Sequence, residues 1–135
     1  MKKVQISCFQ HIPCNPCKFA CPHGAIRMEH LTDLPEVDLD KCIGCGLCIP
    51  VCPGQACAVL DDDFTEKEAA LSFPYEYLPV PVKGQKVQAV NNEGEIICEA
   101  QIEKVVTAPA FDHTNVVTIS FDKRYAGNIT GIRKI

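Results

Sequence analysis

From residue 83 onward, short apolar runs rich in β-branched residues alternate with polar turn segments, a pattern typical of β-strands. Residues 85–90, 95–106 and 114–121 each predict a strand, and the second run is long enough to bend at its middle. The Asn-Asn-Glu-Gly segment at 91–94 predicts a turn that uses a positive φ. Residues 129–135 predict a last strand. This part of the chain therefore predicts a small β-barrel or β-sandwich.

Prolines interrupt the pattern just before this β-rich part. Pro74, Pro79 and Pro81 favour an extended path. Residues 65–71 fit either a helical turn or, with Phe73 and Tyr75, an alternating strand, and the pattern leaves both open. The shift in composition predicts an N-terminal domain over residues 1–62, a proline-rich connection over 63–82, and a β module over 83–135 that serves as a docking surface.

Ten cysteines in 135 residues change this picture, because eight of them precede residue 53. Such crowding indicates a disulfide framework, a zinc site or iron–sulfur clusters. The N-terminal segment has no apolar stretch typical of a signal peptide, and no run is long enough to span a bilayer. We therefore expect a cytoplasmic protein whose reduced thiols bind metal. The net charge of −4 indicates no nucleic-acid partner.

The cysteines follow a metal-binding motif and an internal repeat. Residues 42–53 read C-x2-C-x2-C-x3-C-P, in which three closely spaced thiolates can wrap one face of an iron–sulfur cubane. Gly44 and Gly46 allow the backbone to pass close to it. Residues 17–26 align with residues 48–57 at an offset of 31, which places Cys14 on Cys45. The repeat predicts two similar half-sites folded against each other.

Motif and repeat together resemble the bacterial-type two-cluster ferredoxins over residues 14–60. The resemblance implies an α+β fold, with a ferredoxin-like domain of two pseudo-symmetric halves, each a hairpin and a short helix, followed by the small all-β module. It also implies two [4Fe–4S] clusters. Carried over residue by residue, one cluster (cluster B) has the ligands Cys21, Cys42, Cys45 and Cys48. The other (cluster A) has three ligands in Cys14, Cys17 and Cys52.

Cluster A is one ligand short, because the family pattern has a cysteine at position 11 and this sequence has His11. Cys8 completes the set if the loop through residues 12–13 brings it inward. Alternatively, His11 binds through an imidazole nitrogen, which would raise the reduction potential. We favour Cys8, because thiolate is the softer and commoner ligand. A three-cysteine site with a three-iron cluster, or no cluster at all, is the remaining alternative.

Other interpretations of these cysteines are weaker. Two C-x2-C pairs also fit a four-cysteine zinc site, but zinc leaves three further cysteines and the proline after each terminal cysteine unexplained. Cys57 aligns with Ile26 and is predicted to be a small apolar residue that packs near a cluster. Cys98, within a Val/Ile-rich strand, is predicted to be an inert core thiol.

The sequence has no nucleophile triad, phosphate loop or dinucleotide fingerprint, so we expect no catalysis by this chain alone. The whole chain, including the segments PCNPC and PYEYLPVP, is similar to small ferredoxin-like subunits of flavin-dependent amine or amino-acid dehydrogenases in anaerobes. That similarity implies an electron-transfer subunit that relays single electrons within a flavin-containing oxidoreductase, with flavoprotein subunits as partners. The alternatives are a free-standing two-cluster ferredoxin with an extra β domain and, more remotely, a zinc-binding structural or interaction module.

Overall fold

A computed structural model describes residues 2–111 and 113–134 of the chain. The helix and strands of this part, in chain order, are β1 (Lys2–Ile6), α1 (Pro16–Ala20), β2 (Ile26–Arg27), β3 (Glu36–Val37), β4 (Cys57–Asp61), β5 (Glu68–Tyr75), β6 (Lys86–Val90), β7 (Ile96–Val106), β8 (Asn115–Asp122) and β9 (Gly131–Ile132). Two 3₁₀ turns, Pro109–Phe111 and Lys123–Tyr125, precede and follow β8. No helix in the described residues is long and apolar enough to cross a membrane.

Seven of the strands form one antiparallel sheet in the order β1-β4-β5-β8-β7-β6-β9, and β2 pairs with β3 in a separate hairpin. The strands predicted at 85–90, 95–106 and 114–121 are confirmed as β6, β7 and β8. A register shift between Ile102 and Lys104 produces the irregularity expected in the middle of β7. Gly94 has the positive φ predicted for the turn before β7. The last strand, predicted over residues 129–135, corresponds to β9. Residue 135 of that prediction lies outside the described residues.

The sheet differs from the predicted division of the chain into three regions. Strands β1 and β4, from the predicted N-terminal domain, are joined in one sheet with β5, which lies within the predicted proline-rich connection. Residues 65–71 thus contribute to a strand and not to a helical turn. Pro74 is tolerated in β5 because it lies beyond the last pairing with β4, Val59 with Ser72, where the strand has only β8 as a neighbour.

The two faces of the sheet have different neighbours. One face carries the main core, in which the large, fully buried side chains are Leu71, Phe121, Ile102, Ile119 and Ile129. Alternation along β4 separates the faces: Ala58 and Leu60 pack in this core, whereas Cys57 and Val59 point to the opposite side. Part of that opposite side is covered by the cysteine-rich segment, so the sheet supports the cysteines directly.

The internal repeat appears in the backbone pairing. Ile26 pairs with Val37 in the β2–β3 hairpin, and Cys57 pairs with Ile6 in the β1–β4 ladder. Cys57 follows Ile26 by 31 positions, and Val37 follows Ile6 by 31 positions. The short helix implied for each half is present only in the first, as α1. Residues 47–51 form a turn instead. Pro50 lies inside this segment and supplies no backbone N–H, which prevents a continuous helix.

Candidate metal centre

The four cysteines predicted for cluster B line one cavity. The cavity is partly open to solvent. The rest of its lining is mostly apolar. Its cysteines are Cys21, Cys42, Cys45 and Cys48. Cys42 and Cys48 are buried, Cys21 is half-buried and Cys45 is exposed.

Backbone amides are directed at two of these sulfurs. The N–H of Val4 in β1 donates to Cys42 Sγ over 3.3 Å, and the N–H of Ala25 donates to Cys21 Sγ over 3.3 Å. An amide donor stabilises a sulfur that carries negative charge, as a metal-bound thiolate does. The four cysteines, the apolar lining and these donors fit an iron–sulfur cluster.

Strand β1 also holds the loop that carries the first cysteines of the motif. Lys3 Nζ donates to the carbonyl oxygens of Leu39, at 2.5 Å, and of Cys42, at 2.6 Å. Gly44 has φ +71°, and a Cβ atom placed on it would lie 2.4 Å from Cβ of Lys2. Only glycine allows this close approach of the loop to β1.

The cysteines predicted for cluster A form a second group. Burial raises the pKa of Cys14, and the charges of Cys52, Cys17 and Cys8 raise it further, in that order. Cys52, Cys17 and Cys8 therefore each lie within electrostatic range of Cys14. Cys17 is buried and the other three are half-buried. The completion of cluster A by Cys8 stays a prediction.

Two cysteines of this group are stabilised as thiolates. A hydrogen bond from Cys57 lowers the pKa of Cys52 to about 5, against the opposing effect of burial and with help from the N–H groups of Ala56, Gly54 and Cys57. The Ala56 N–H donates to Cys52 Sγ over 3.3 Å, which repeats the Ala25–Cys21 contact 31 residues earlier. A hydrogen bond from Cys57 likewise lowers the pKa of Cys17 to about 7, although burial raises it. Both sulfurs are thereby prepared to bind metal.

His11 lies at the surface in a different environment. Its Nδ1 is 3.1 Å from the carbonyl oxygen of Thr32. A ring nitrogen that donates to a carbonyl leaves the other nitrogen as an acceptor, so this contact is compatible with a ligand role and with a surface role. In the described part of the chain, no hydrogen bond joins His11 to the cysteines of cluster A.

The spacing of the cysteines differs from that of a single-ion site. Within residues 2–111 and 113–134, no three His, Cys, Asp or Glu side chains converge on one metal-ion position. A zinc ion would need its four ligands at about 2.0–2.3 Å from one point.

The remaining two cysteines differ from each other. Cys57 is fully buried, and its pKa is raised by the thiols of Cys17, Cys48 and Cys52 and then by burial. It packs beside Cys17 and Cys48, with Cys52 next to them, so a thiol that was predicted only to fill space lies against cysteines of both predicted sets. Cys98 is half-buried on β7 and packs against the main core, where burial raises its pKa. It lies apart from the other nine cysteines.

A cleft adjoins the cavity on its solvent side. Its volume is about 470 Å³. One wall is the loop that contains Cys45, and the floor is the sheet face that carries Ser72 and Thr118, whose hydroxyl groups are hydrogen-bonded at 2.7 Å. Phe64 and Phe111 stand at its sides. Cys45 thus borders both the cysteine-lined cavity and the open cleft.

Comparison with known families bears on this cysteine-rich segment. Residues 12–58 match the 4Fe-4S dicluster domain. The predicted resemblance is confirmed over this stretch, which we call the dicluster segment, and 4Fe–4S clusters are indicated as its cofactor. The rest of the chain lies outside the match. No solved structure matches the chain significantly.

Curated relatives also align with the dicluster segment. Pyruvate synthase subunit PorD of Methanothermobacter marburgensis is 44% identical over 45 residues, which cover 33% of this chain and 49% of that protein. A subunit of the ion-translocating oxidoreductase complex of Methanosarcina acetivorans is 44% identical over 45 residues, covering 33% of this chain and 16% of that protein. The polyferredoxin-like subunit of an aliphatic sulfonate oxidoreductase of Pyrococcus furiosus is 41% identical over 52 residues, covering 38% of this chain and 30% of that protein. The chain therefore spans less than half the length of each of these relatives.

Sequence reasoning missed the contribution of β1. Lys3 and Val4 supply donors to the cysteine loop, although the sequence pattern assigned these residues no role in the site. The alternation of polar and apolar side chains over Lys2–Ile6 was the available signal, since it has the period of a half-buried strand. The cleft beside Cys45 had no signal of its own, because its walls come from segments distant in sequence.

Proposed function

We propose that this chain is an iron–sulfur electron-transfer subunit that relays single electrons within an oxidoreductase complex through two [4Fe–4S] clusters. Cluster B is held by Cys21, Cys42, Cys45 and Cys48. Its support is the common cavity of these four residues and the amide donors on Cys42 and Cys21. Hydrogen bonds of this kind stabilise the extra negative charge of a reduced cluster and so raise its reduction potential.

Cluster A is held by Cys8, Cys14, Cys17 and Cys52. The inclusion of Cys8 is supported by the electrostatic effect of Cys8 on Cys14. His11 has its Nδ1 engaged with the Thr32 carbonyl at the surface. A fourth thiolate also matches the other three ligands in softness. In this assignment eight of the ten cysteines bind clusters, and Cys57 and Cys98 do not.

The observation that carries the proposal of electron transfer is the position of Cys45. It is the exposed member of its ligand set, and it borders an open cleft that the sheet helps to form. A redox partner seated in this cleft would come within contact of a cluster ligand, which gives a short path for the electron. The extra β-rich part then has a role, because it supplies the floor of the docking surface.

The partner that we propose is a flavoprotein subunit of the same complex, in the cytoplasm. A flavin releases electrons singly or in pairs, whereas each cluster accepts one at a time, so two clusters suit a flavin that passes both electrons onward. The curated relatives bear the names of subunits of oxidoreductase complexes, which supports a subunit role in general. The flavin partner itself is drawn from the resemblance of the whole chain to subunits of flavin-dependent dehydrogenases.

The test combines metal analysis with isolation of the complex under anaerobic conditions. The tagged chain, expressed in its native host, is expected to contain about eight iron and eight sulfide ions, as two [4Fe–4S] clusters require. It is also expected to co-purify with a yellow flavoprotein, and rapid mixing should show electrons passing from the reduced flavin to the clusters. A loaded chain that purifies alone, as a stable monomer that exchanges electrons with several unrelated reductases, would instead identify a free-standing ferredoxin. Zinc in place of iron would contradict both.

A further inference from the structure

Cys57 lies where the dicluster segment joins the sheet. It is the first residue of β4 and is 1% exposed. It packs in one apolar cluster with Cys17 and Cys48, with Cys52 at its side. A side chain so enclosed has no access to water, and the neighbouring sulfurs are available as acceptors for its thiol hydrogen.

The neighbours of Cys57 belong to both proposed ligand sets. Cys17 and Cys52 are assigned to cluster A, whereas Cys48 is assigned to cluster B. Cys57 packs in one cluster with all three, so its thiol is within reach of each. Metal-bound sulfurs have no hydrogen to donate. The unligated Cys57 is therefore the donor among these four sulfurs, and it packs against members of both proposed ligand sets.

The internal repeat shows that this donor is present on one side only. The residue related to Cys57 by the 31-residue repeat is Ile26, which is also buried and begins β2. Ile26 packs in the same cluster but has no side-chain donor. The centre of the dicluster segment thus contains one S–H group where its symmetric position contains only hydrocarbon.

We infer that Cys57 is a hydrogen-bond donor shared between the two clusters, and that it couples their reduction. The inference rests on the proposed function, since it requires both clusters. A thiol has a single hydrogen and donates fully to one thiolate at a time. When one cluster receives an electron from an external one-electron donor, its sulfurs become better acceptors and the S–H group turns toward them. The S–H bond stays intact, and no proton is transferred.

This sharing favours the first reduction over the second. The first electron is stabilised by the hydrogen bond from Cys57, whichever cluster receives it. The second electron enters the other cluster after that donor has already been committed. The donor therefore raises the first midpoint potential more than the second and widens the difference between them.

The experiment compares variants of the loaded full-length chain in an anaerobic EPR-monitored redox titration. Cys57→Val keeps an apolar side chain of similar size and removes the donor, Cys57→Ser keeps a donor, and Ile26→Val is the control at the symmetric position.

In Cys57→Val, we expect iron and sulfide contents to be unchanged and the first midpoint potential to fall. The expected change in the first reduction equilibrium is about tenfold, or about 59 mV for a one-electron couple. The two midpoint potentials should move closer together. Cys57→Ser should recover part of both shifts, and Ile26→Val should show neither.

Three outcomes would overturn the inference. Unchanged potentials in a fully loaded Cys57→Val protein would reduce Cys57 to a packing residue. Loss of about four iron ions in both Cys57 variants would make it a ligand instead. Equal shifts in Cys57→Val and Ile26→Val would reflect altered packing and not a lost donor. If the unmodified chain binds fewer than two clusters, the proposed function fails together with this inference, whereas the first three outcomes leave the proposed function intact.

Discussion

The backbone N–H of Val4 donates to the sulfur of Cys42 over 3.3 Å. The internal repeat relates these two residues to Pro35 and His11, 31 positions away in each case. Pro35 has no N–H and His11 has no thiol, so the donor and its acceptor are both missing from the first half. The two proposed cluster sites therefore differ at a matched pair of positions. A cysteine from elsewhere in the chain is the simplest replacement for the missing ligand.

Replacement of Cys8 tests this ligand assignment. Cys8→Ala is expected to lose about four iron ions, because cluster A would keep only three thiolates, whereas His11→Ala should retain both clusters. Iron and sulfide analysis, together with EPR of the reduced protein, measures the cluster content of both variants. Cys98→Ala is the matched control, since Cys98 lies apart from the other cysteines and should leave the iron content unchanged. Loss of iron in His11→Ala alone would identify the His11 imidazole as the fourth ligand of cluster A.

Substitution of Gly44 tests the contact between the cysteine loop and β1. In Gly44→Ala the new Cβ would lie 2.4 Å from Cβ of Lys2, in addition to the left-handed backbone at φ +71°. The left-handed conformation alone costs a residue with a Cβ roughly 1–2 kcal/mol. We expect a larger loss of unfolding free energy than this and selective loss of iron from cluster B, measured by thermal unfolding and metal analysis.

The control for Gly44→Ala is Gly24→Ala. Gly24 has φ +62°, but nothing lies within 4 Å of a Cβ placed there. This variant has the backbone cost without the clash. Equal losses of stability in the two variants would show that the approach of Lys2 to the loop has no energetic importance.

Residues close together in sequence account for what could be predicted. The spacing of Cys42, Cys45 and Cys48 reflects the shape of a single cluster, so the motif predicted the set that the structure gathers around one cavity. The strands of the C-terminal part were readable because each has its own apolar pattern. In contrast, β5 was obscured by Pro74, and nothing local indicates that its neighbours in the sheet are β4 and β8. Pairings between distant segments depend on the whole fold.

Lys3 provides a test of how β1 influences the clusters. Its ammonium group is bonded to the carbonyl oxygens of Leu39 and Cys42, so a positive charge lies beside the proposed cluster B. A nearby cation stabilises the more negative, reduced state. Lys3→Gln, which keeps a donor but removes the charge, is expected to lower the midpoint potential of cluster B and leave that of cluster A nearly unchanged. An anaerobic redox titration measures both potentials.

The control for Lys3→Gln is Lys86→Gln. Lys86 lies on β6 at the surface, beside Gln101 and Glu99. Because charge effects between exposed groups are screened within about 10 Å at 0.1 M salt, neither potential should change in this variant. Equal shifts of the midpoint potentials of both clusters in Lys3→Gln would indicate a general loss of structure and would argue against a local effect of the charge.

The cleft beside Cys45 predicts where partner recognition is sensitive to substitution. Phe64 is a partly exposed aromatic side chain on the cleft, of the kind that contributes most to binding interfaces. Phe64→Ala is expected to weaken association with the redox partner by about 1–2 kcal/mol, or roughly 5–30-fold, while iron content and both potentials stay unchanged. Stopped-flow measurement of electron transfer against partner concentration gives the second-order rate constant.

Ile96→Ala is the control, because Ile96 is an exposed apolar residue outside the cleft. A slower reaction in Ile96→Ala, with Phe64→Ala unaffected, would place the docking surface elsewhere on the sheet.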